Sequence, residues 1–116
     1  MRYIALIYAA DGTAPQPGTP EGDDFMKRYF EVTQTYRERG VLLAGEPLQH
    51  TETATSVRVR DGKTETIDGP FAETKERLGG YYVFDCKDLD EAIELAAMIP
   101  TAEVGTIEVR PIMELG

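Results

Sequence analysis

Asp68-Gly69-Pro70-Phe71-Ala72-Glu73-Thr74-Lys75-Glu76, followed closely by Gly79-Gly80-Tyr81, connects two stretches that read as strands. Plain connections between strands usually take about two to six residues. This one is longer, and it gathers acids, a lysine, an aromatic ring and a Gly-Pro turn. A connection of that length and chemistry reads as a binding or catalytic loop. It also divides the chain, with strand, helix, strand and a hairpin before it and strand, helix, strand after it.

On the N-terminal side, residues 2–9 are rich in Tyr, Ile and Leu and read as a strand. Residues 11–18, dense in Gly and Pro, form a loop. Thr19-Pro20-Glu21 supplies an N-cap, a proline at the first helical position and an acid in the first turn. Phe25, Tyr29, Val32 and Tyr36 recur at helical spacing, and Gly40 marks the stop. Val41-Leu42-Leu43-Ala44-Gly45 opens a second strand, which Pro47 bends or confines to an edge. Val57 and Val59 alternate with Arg58 and Arg60, Asp61-Gly62 makes a tight turn, and 64–67 returns as the hairpin partner.

On the C-terminal side, 81–86 reads as a strand with apolar residues on both parities. Asp88-Leu89-Asp90-Glu91 is a capping box opening a second helix. Leu89, Ala92, Ile93 and Ala96 are its expected buried stripe, and 106–110 closes the chain as a last strand. This order predicts an α+β, ferredoxin-like βαβ(ββ)βαβ domain over 1–116, with an antiparallel sheet and both helices on one face. Yet Ile4, Leu6 and Tyr8 oppose Tyr3, Ala5 and Ile7, and Tyr82 and Phe84 oppose Tyr81 and Val83. A sheet apolar on both faces buries both. The open face is therefore expected to meet its copy in a homodimer.

Composition narrows the function classes. Twelve Lys and Arg against twenty-one Asp and Glu leave a net charge of −9. Nucleic acids draw most of their affinity from cations, so no nucleic-acid partner is expected. Anionic membrane surfaces are disfavoured for the same reason, and no apolar run approaches a membrane span. The single Cys86 permits no intramolecular disulfide, which suits a reducing compartment. The start of the chain reads as a strand and not as a signal peptide. The expected location is cytoplasmic.

The block 68–76 resembles the signature of the DGPF branch of the YCII-related family of small bacterial proteins. Gly40 after the first helix, Leu42-Leu43-Ala44-Gly45, Asp61-Gly62, Gly79-Gly80-Tyr81, Leu89-Asp90-Glu91-Ala92 and Val109-Arg110-Pro111 add to the likeness. The resemblance implies a dimeric α+β barrel made by facing sheet against sheet. It also implies, for some relatives, a His-Asp pair whose histidine lies on or just after an early element and whose aspartate corresponds to Asp68. Here the chain departs, because residues 1–40 contain no histidine and the only one is His50.

Asp68 is the candidate catalytic group, a general acid or base if burial raises its pKa. The competing reading is an Asx-turn over Gly69-Pro70-Phe71. Phe71, Glu73, Lys75, Arg58 and Tyr81 are the candidate ligand-binding residues, with Lys75 and either Arg58 or Arg60 as anion partners. Glu73, Lys75 and Glu76 are equally readable as a solvated charged segment. Gly79-Gly80 reads as a backbone requirement, since no helix N-terminus follows to make a phosphate cradle. His50 reads as an exposed histidine and Cys86 as an inert core thiol with acidic neighbours. No His/Cys cluster suggests a metal, and no cofactor is expected. Two functions remain: a small-molecule site, with acid/base catalysis or binding alone, or a non-enzymatic interaction module. For the second, the resemblance lends a context of extracytoplasmic-function sigma factor regulation.

Overall fold

Residues 3–8 alternate between two environments, with Tyr3, Ala5 and Ile7 buried and Ile4, Leu6 and Tyr8 half-buried. The computed structural model describes residues 1–115. Its elements are β1 (Arg2–Ala10), α1 (Pro20–Glu38), β2 (Leu42–Pro47), β3 (Thr55–Arg60), β4 (Lys63–Asp68), β5 (Glu76–Asp85), α2 (Leu89–Ala97) and β6 (Thr106–Pro111). Short 3₁₀ turns occupy Thr51–Thr53 and Pro100–Glu103. Four strands pair antiparallel in the order β2-β5-β1-β6, while β3 and β4 form a separate two-stranded arm. This is the ferredoxin-like α+β arrangement, with the hairpin inserted between β2 and β5.

The buried side of β1 and β5 carries both helices. Val32 and Tyr36 of α1 and Ala92 and Leu95 of α2 join Tyr3, Ala5, Ile7, Tyr82 and Phe84 in one core. Local signals start and stop α1 as the sequence predicts. Thr19 Oγ1 accepts the Gly22 N–H at 3.0 Å, and Gly40 takes the left-handed conformation that ends it, with φ of +72°. Asp88 caps α2 by accepting the Glu91 N–H at 2.9 Å.

Two expectations are corrected. The buried stripe of α2 is Ala92, Leu95 and Ala96, while Leu89 and Ile93 are exposed. Ala92, Leu95, Ala96 and, just past the helix, Ile99 recur at i, i+3, i+4 and i+7, and Leu95 and Ile99 are the large side chains this face buries completely. The strand after the loaded loop also begins earlier, at Glu76, so Gly79-Gly80 lie within β5. Gly80 is required there by contact: a Cβ would stand 2.9 Å from the Glu46 carbonyl oxygen on β2. Its role is to let the edge strand close on β5.

The arm is thin. Asp61 and Gly62 both have positive φ, 52° and 75°, as a two-residue hairpin turn demands. Val57, Val59 and Ile67 are exposed along it.

Candidate functional site

Two adjoining hollows of about 540 and 340 Å³ open on the molecule, sharing Ile7 and Gly79 in their linings. The larger is a basin between the loop after β1 and the connection after β2. Strand register builds its polar wall. Arg77 pairs with Ala9, so the start of β5 lies beside the exit of β1, where Asp11 follows. His50 arrives from the end of β2.

Asp11 sits between the other two. One of its carboxylate oxygens lies 3.3 Å from His50 Nε2 and the other 3.4 Å from Arg77 Nε. Arg77 also donates from Nη1 to Thr51 Oγ1 at 3.3 Å. His50 Nδ1 accepts the Glu52 N–H at 3.3 Å, capping the 3₁₀ turn. Both ring contacts are satisfied together only when Nε2 carries the hydrogen and donates it to Asp11. All three side chains retain solvent contact, so their pairing adds at most about 1 kcal/mol to stability. The cluster therefore fixes positions more than it holds the fold.

The residues singled out from the sequence are placed differently. Asp68 ends β4 opposite Thr55 and is exposed. Arg58 pairs with Glu65 and so lies on the other face of the arm from Asp68. Glu73 and Lys75 are exposed, and Phe71 is 78% exposed. Only Tyr81 lines a hollow, the smaller one. Within one protomer the fold does not bring these six together.

The Asx-turn reading of Asp68 is also not met. Among the described residues its carboxylate takes no hydrogen bond; the turn is pinned by its backbone. Gly69 donates its N–H to the Ala54 carbonyl at 2.7 Å, and Ser56 Oγ donates to the Gly69 carbonyl at 2.8 Å. Gly69 itself has φ of +99°, which explains a glycine after Asp68. The base of the arm thus follows directly on the turn that His50 caps.

Asp11 and Arg77 were invisible as a pair in sequence, being far apart with no motif spacing. Only the β1–β5 register unites them. His50 was visible, but its partner was not. Cys86 is buried, with a thiol pushed up by burial and by the nearby Glu91, Asp85 and Asp88 carboxylates, as an inert core thiol should be. Among the described residues no three His, Cys, Asp or Glu side chains gather as metal ligands, and no helix is long and apolar enough to cross a membrane.

Comparisons with known proteins agree with this architecture. An uncharacterized protein of Rhizobium meliloti (strain 1021) is 37% identical over 114 residues, covering 97% of this chain and 92% of that one. Among solved structures, 5-chloro-2-hydroxyhydroquinone dehydrochlorinase from Burkholderia phenoliruptrix, in complex with 2,5-dihydroxybenzoquinone, superposes with a TM-score of 0.56. That match covers 97% of this chain and 94% of the other at 10% identity, a likeness of fold. The model of the YCII-related domain matches residues 1–116, and the chain belongs to the YCII-related family.

Proposed function

We propose that this protein handles a small, oxygen-bearing ring compound in the basin, with proton transfer to or from the ligand at His50. The observation that carries the reading is the Asp11 carboxylate holding His50 at 3.3 Å and Arg77 at 3.4 Å on the wall of a hollow of ligand size. Arg77 offers a fixed cation to a phenolate or carboxylate oxygen. His50 Nδ1, whose contact with the Glu52 N–H is long at 3.3 Å, is the atom that would exchange a proton as the ligand displaces that contact. The dehydrochlorinase supports the reading by analogy, since its fold accommodates a hydroxylated quinone.

In this reading the protein works in the cytoplasm as a homodimer through the open sheet face, and a second copy supplies the outer wall. Arg58 and Asp68 lie on an arm that stands apart from its own sheet, and Phe71, Glu73 and Lys75 on the connection from that arm to β5. Isolated two-stranded hairpins are marginal in water, so the arm needs a neighbour. Asp68 would then act as a second acid or base at the ligand.

Titration of the protein with 2,5-dihydroxybenzoquinone tests the basin. His50→Gln should weaken binding about tenfold, the scale of losing one charge-assisted contact. Equal affinity in the variant sinks the basin reading. Asp68→Asn should leave the stability within the range of neutral surface changes, about 0.5 kcal/mol, since among the described residues its carboxylate holds no partner. It should lower turnover or binding if the arm reaches a neighbour's basin. A large fall in melting temperature with function unchanged makes Asp68 scaffolding.

One observation favours a second reading. The exposed Val57, Val59 and Ile67 on the arm, with the exposed Phe71 just after it, suit a non-enzymatic interaction module, including one tied to extracytoplasmic-function sigma factor regulation. A protein whose wild type and His50→Gln variant both ignore small ring compounds, yet whose arm variants lose a protein partner, is that module.

A further inference from the structure

The smaller hollow, of about 340 Å³, lies between α1 and the β2–β5 half of the sheet. It contains none of Asp11, His50 or Arg77. Its floor is the Tyr82 ring, which lies against Gly45, with Pro47 and Gly80 beside it, and its wall is the apolar side of α1 at Met26, Tyr29 and Phe30. Met26 and Phe30 stay 55% and 71% exposed although the core lies one turn away. Large apolar side chains left at the mouth of a hollow are what a ring-shaped ligand would cover.

Two polar features give the hollow a direction. Thr33 Oγ1 donates to the Tyr29 carbonyl oxygen at 2.8 Å, so its contact with Tyr82 Oη at 2.7 Å must take the hydrogen from Tyr82. The Tyr82 oxygen is left with free acceptor capacity toward the hollow. Arg37, one turn further along α1, also lines it. Among the described residues Arg37 forms no ion pair, in a chain whose other α1 cations Lys27 and Arg28 both do. Burial pushes the Tyr82 phenol up, while the Thr33 hydrogen bond and the Arg37 charge pull it down, so the Arg37 charge is felt at that oxygen. The other charged lining residue, Glu46, sits on the edge strand and is likewise unpaired.

We propose that this hollow is a second ligand site, taking a small aromatic carboxylate whose ring lies against Met26, Tyr29 and Phe30 and whose carboxylate meets Arg37. The guanidinium supplies the planar fork that carboxylates match, and the apolar wall supplies the ring contacts. Glu46 sets the polarity: the anionic end must point to Arg37 and away from β2. The site does not depend on the reading of the basin, because the two sets of polar groups are separate.

The probe is 2-naphthoate, with the uncharged 2-naphthamide beside it, titrated into the full-length protein and followed by backbone amide chemical shifts. Naphthoate should shift the amides of Thr33, Gly45, Gly80 and Tyr82. Arg37→Gln should weaken naphthoate about tenfold or more, the range of a charged hydrogen bond, and leave naphthamide within about twofold. Asp11→Asn should leave naphthoate unchanged. Arg37 is exposed on the helix surface, so its replacement should not disturb folding. The proposal is overturned if naphthoate does not bind at millimolar concentration, if Arg37→Gln binds it as well as the parent, or if the shifts fall at Asp11, His50 and Arg77. The last pattern would place the ligand in the basin.

Discussion

Tyr36→Ala should lower the stability of the protein by about 3–5 kcal/mol, measured as a shift in urea midpoint at unchanged slope. Tyr36 is 0% exposed and stands where both helices meet the sheet. Its ring meets Phe84 and Tyr82 edge-on at centroid distances of 4.8 and 5.2 Å. Its hydroxyl donates to the Leu95 carbonyl oxygen at 2.5 Å, tying α1 to α2 across the core. Removing the ring leaves a cavity that close-packed neighbours fill only in part. Tyr36→Phe keeps the ring and should cost about 1 kcal/mol, because the Leu95 carbonyl still accepts from the Met98 N–H at 3.2 Å. The two variants separate packing from hydrogen bonding. If both cost the same, the ring contributes nothing and the account of the core is wrong.

The same residue sets an alkaline limit. Burial raises the Tyr36 phenol well above its ordinary value of about 10, and burial raises Tyr29 and Tyr82 in the same direction. The folded state therefore favours the neutral phenols. Their contribution is complete below about pH 10 and is lost as pH rises from there toward the folded-state values. Tyr36→Phe lacks one of these groups. The stability gap between parent and Tyr36→Phe should narrow between pH 9 and 11, and a gap that widens has the sign reversed.

Most of the fold was legible because its signals are local. Thr19-Pro20 starts a helix, Gly40 stops it, Asp61-Gly62 turns a hairpin, and Asp88 caps a second helix through its own side chain. The alternation of 3–8 and 81–84 announced a two-sided sheet, since period two is read directly from side-chain identity. What failed were choices between neighbouring faces. Leu89 and Ile93 are more apolar than Ala92 and Ala96, yet the alanines face inward because they share a stripe with Leu95 and Ile99, both completely buried, and the hydropathy of single positions does not choose between two such stripes. Gly79-Gly80 looked like a loop boundary because glycine is poor in strands. The requirement was a close approach by the Glu46 carbonyl, a contact supplied by a strand more than thirty residues earlier. The basin was illegible for the same reason. Asp11 follows β1, His50 lies just past β2 and Arg77 is near the start of β5, and only the pairing of β5 with both β1 and β2 makes them one cluster. The loaded loop was conspicuous in composition, but its chemistry points outward from a single protomer.

Leu6→Asp and Leu6→Lys should each convert the proposed homodimer to a monomer that stays folded. Leu6 lies on the face of β1 away from the helices, flanked by Tyr81 on β5 and Glu108 on β6, with Ile4 and Val83 paired beside it. These side chains are only half-buried in the protomer, and neither helix reaches them. A charge at position 6 therefore stays hydrated in the monomer and loses water only when a second sheet closes over it. Two-fold symmetry places the substitution in the interface twice, so about 2 kcal/mol per copy raises the dissociation constant about a thousandfold. Aspartate faces Glu108 across the strands and should cost the monomer some tenths of a kcal/mol through like-charge contact, whereas lysine should not. Phe84→Asp is the contrast. Phe84 is 1% exposed on the helix side, so a charge there has no hydrated state and should unfold the chain outright. Light scattering after size exclusion, with circular dichroism on the same samples, reads all three. A parent that is already monomeric at micromolar concentration ends the sheet-to-sheet reading. Dissociation by aspartate alone would mean that the fold was damaged and the interface lies elsewhere.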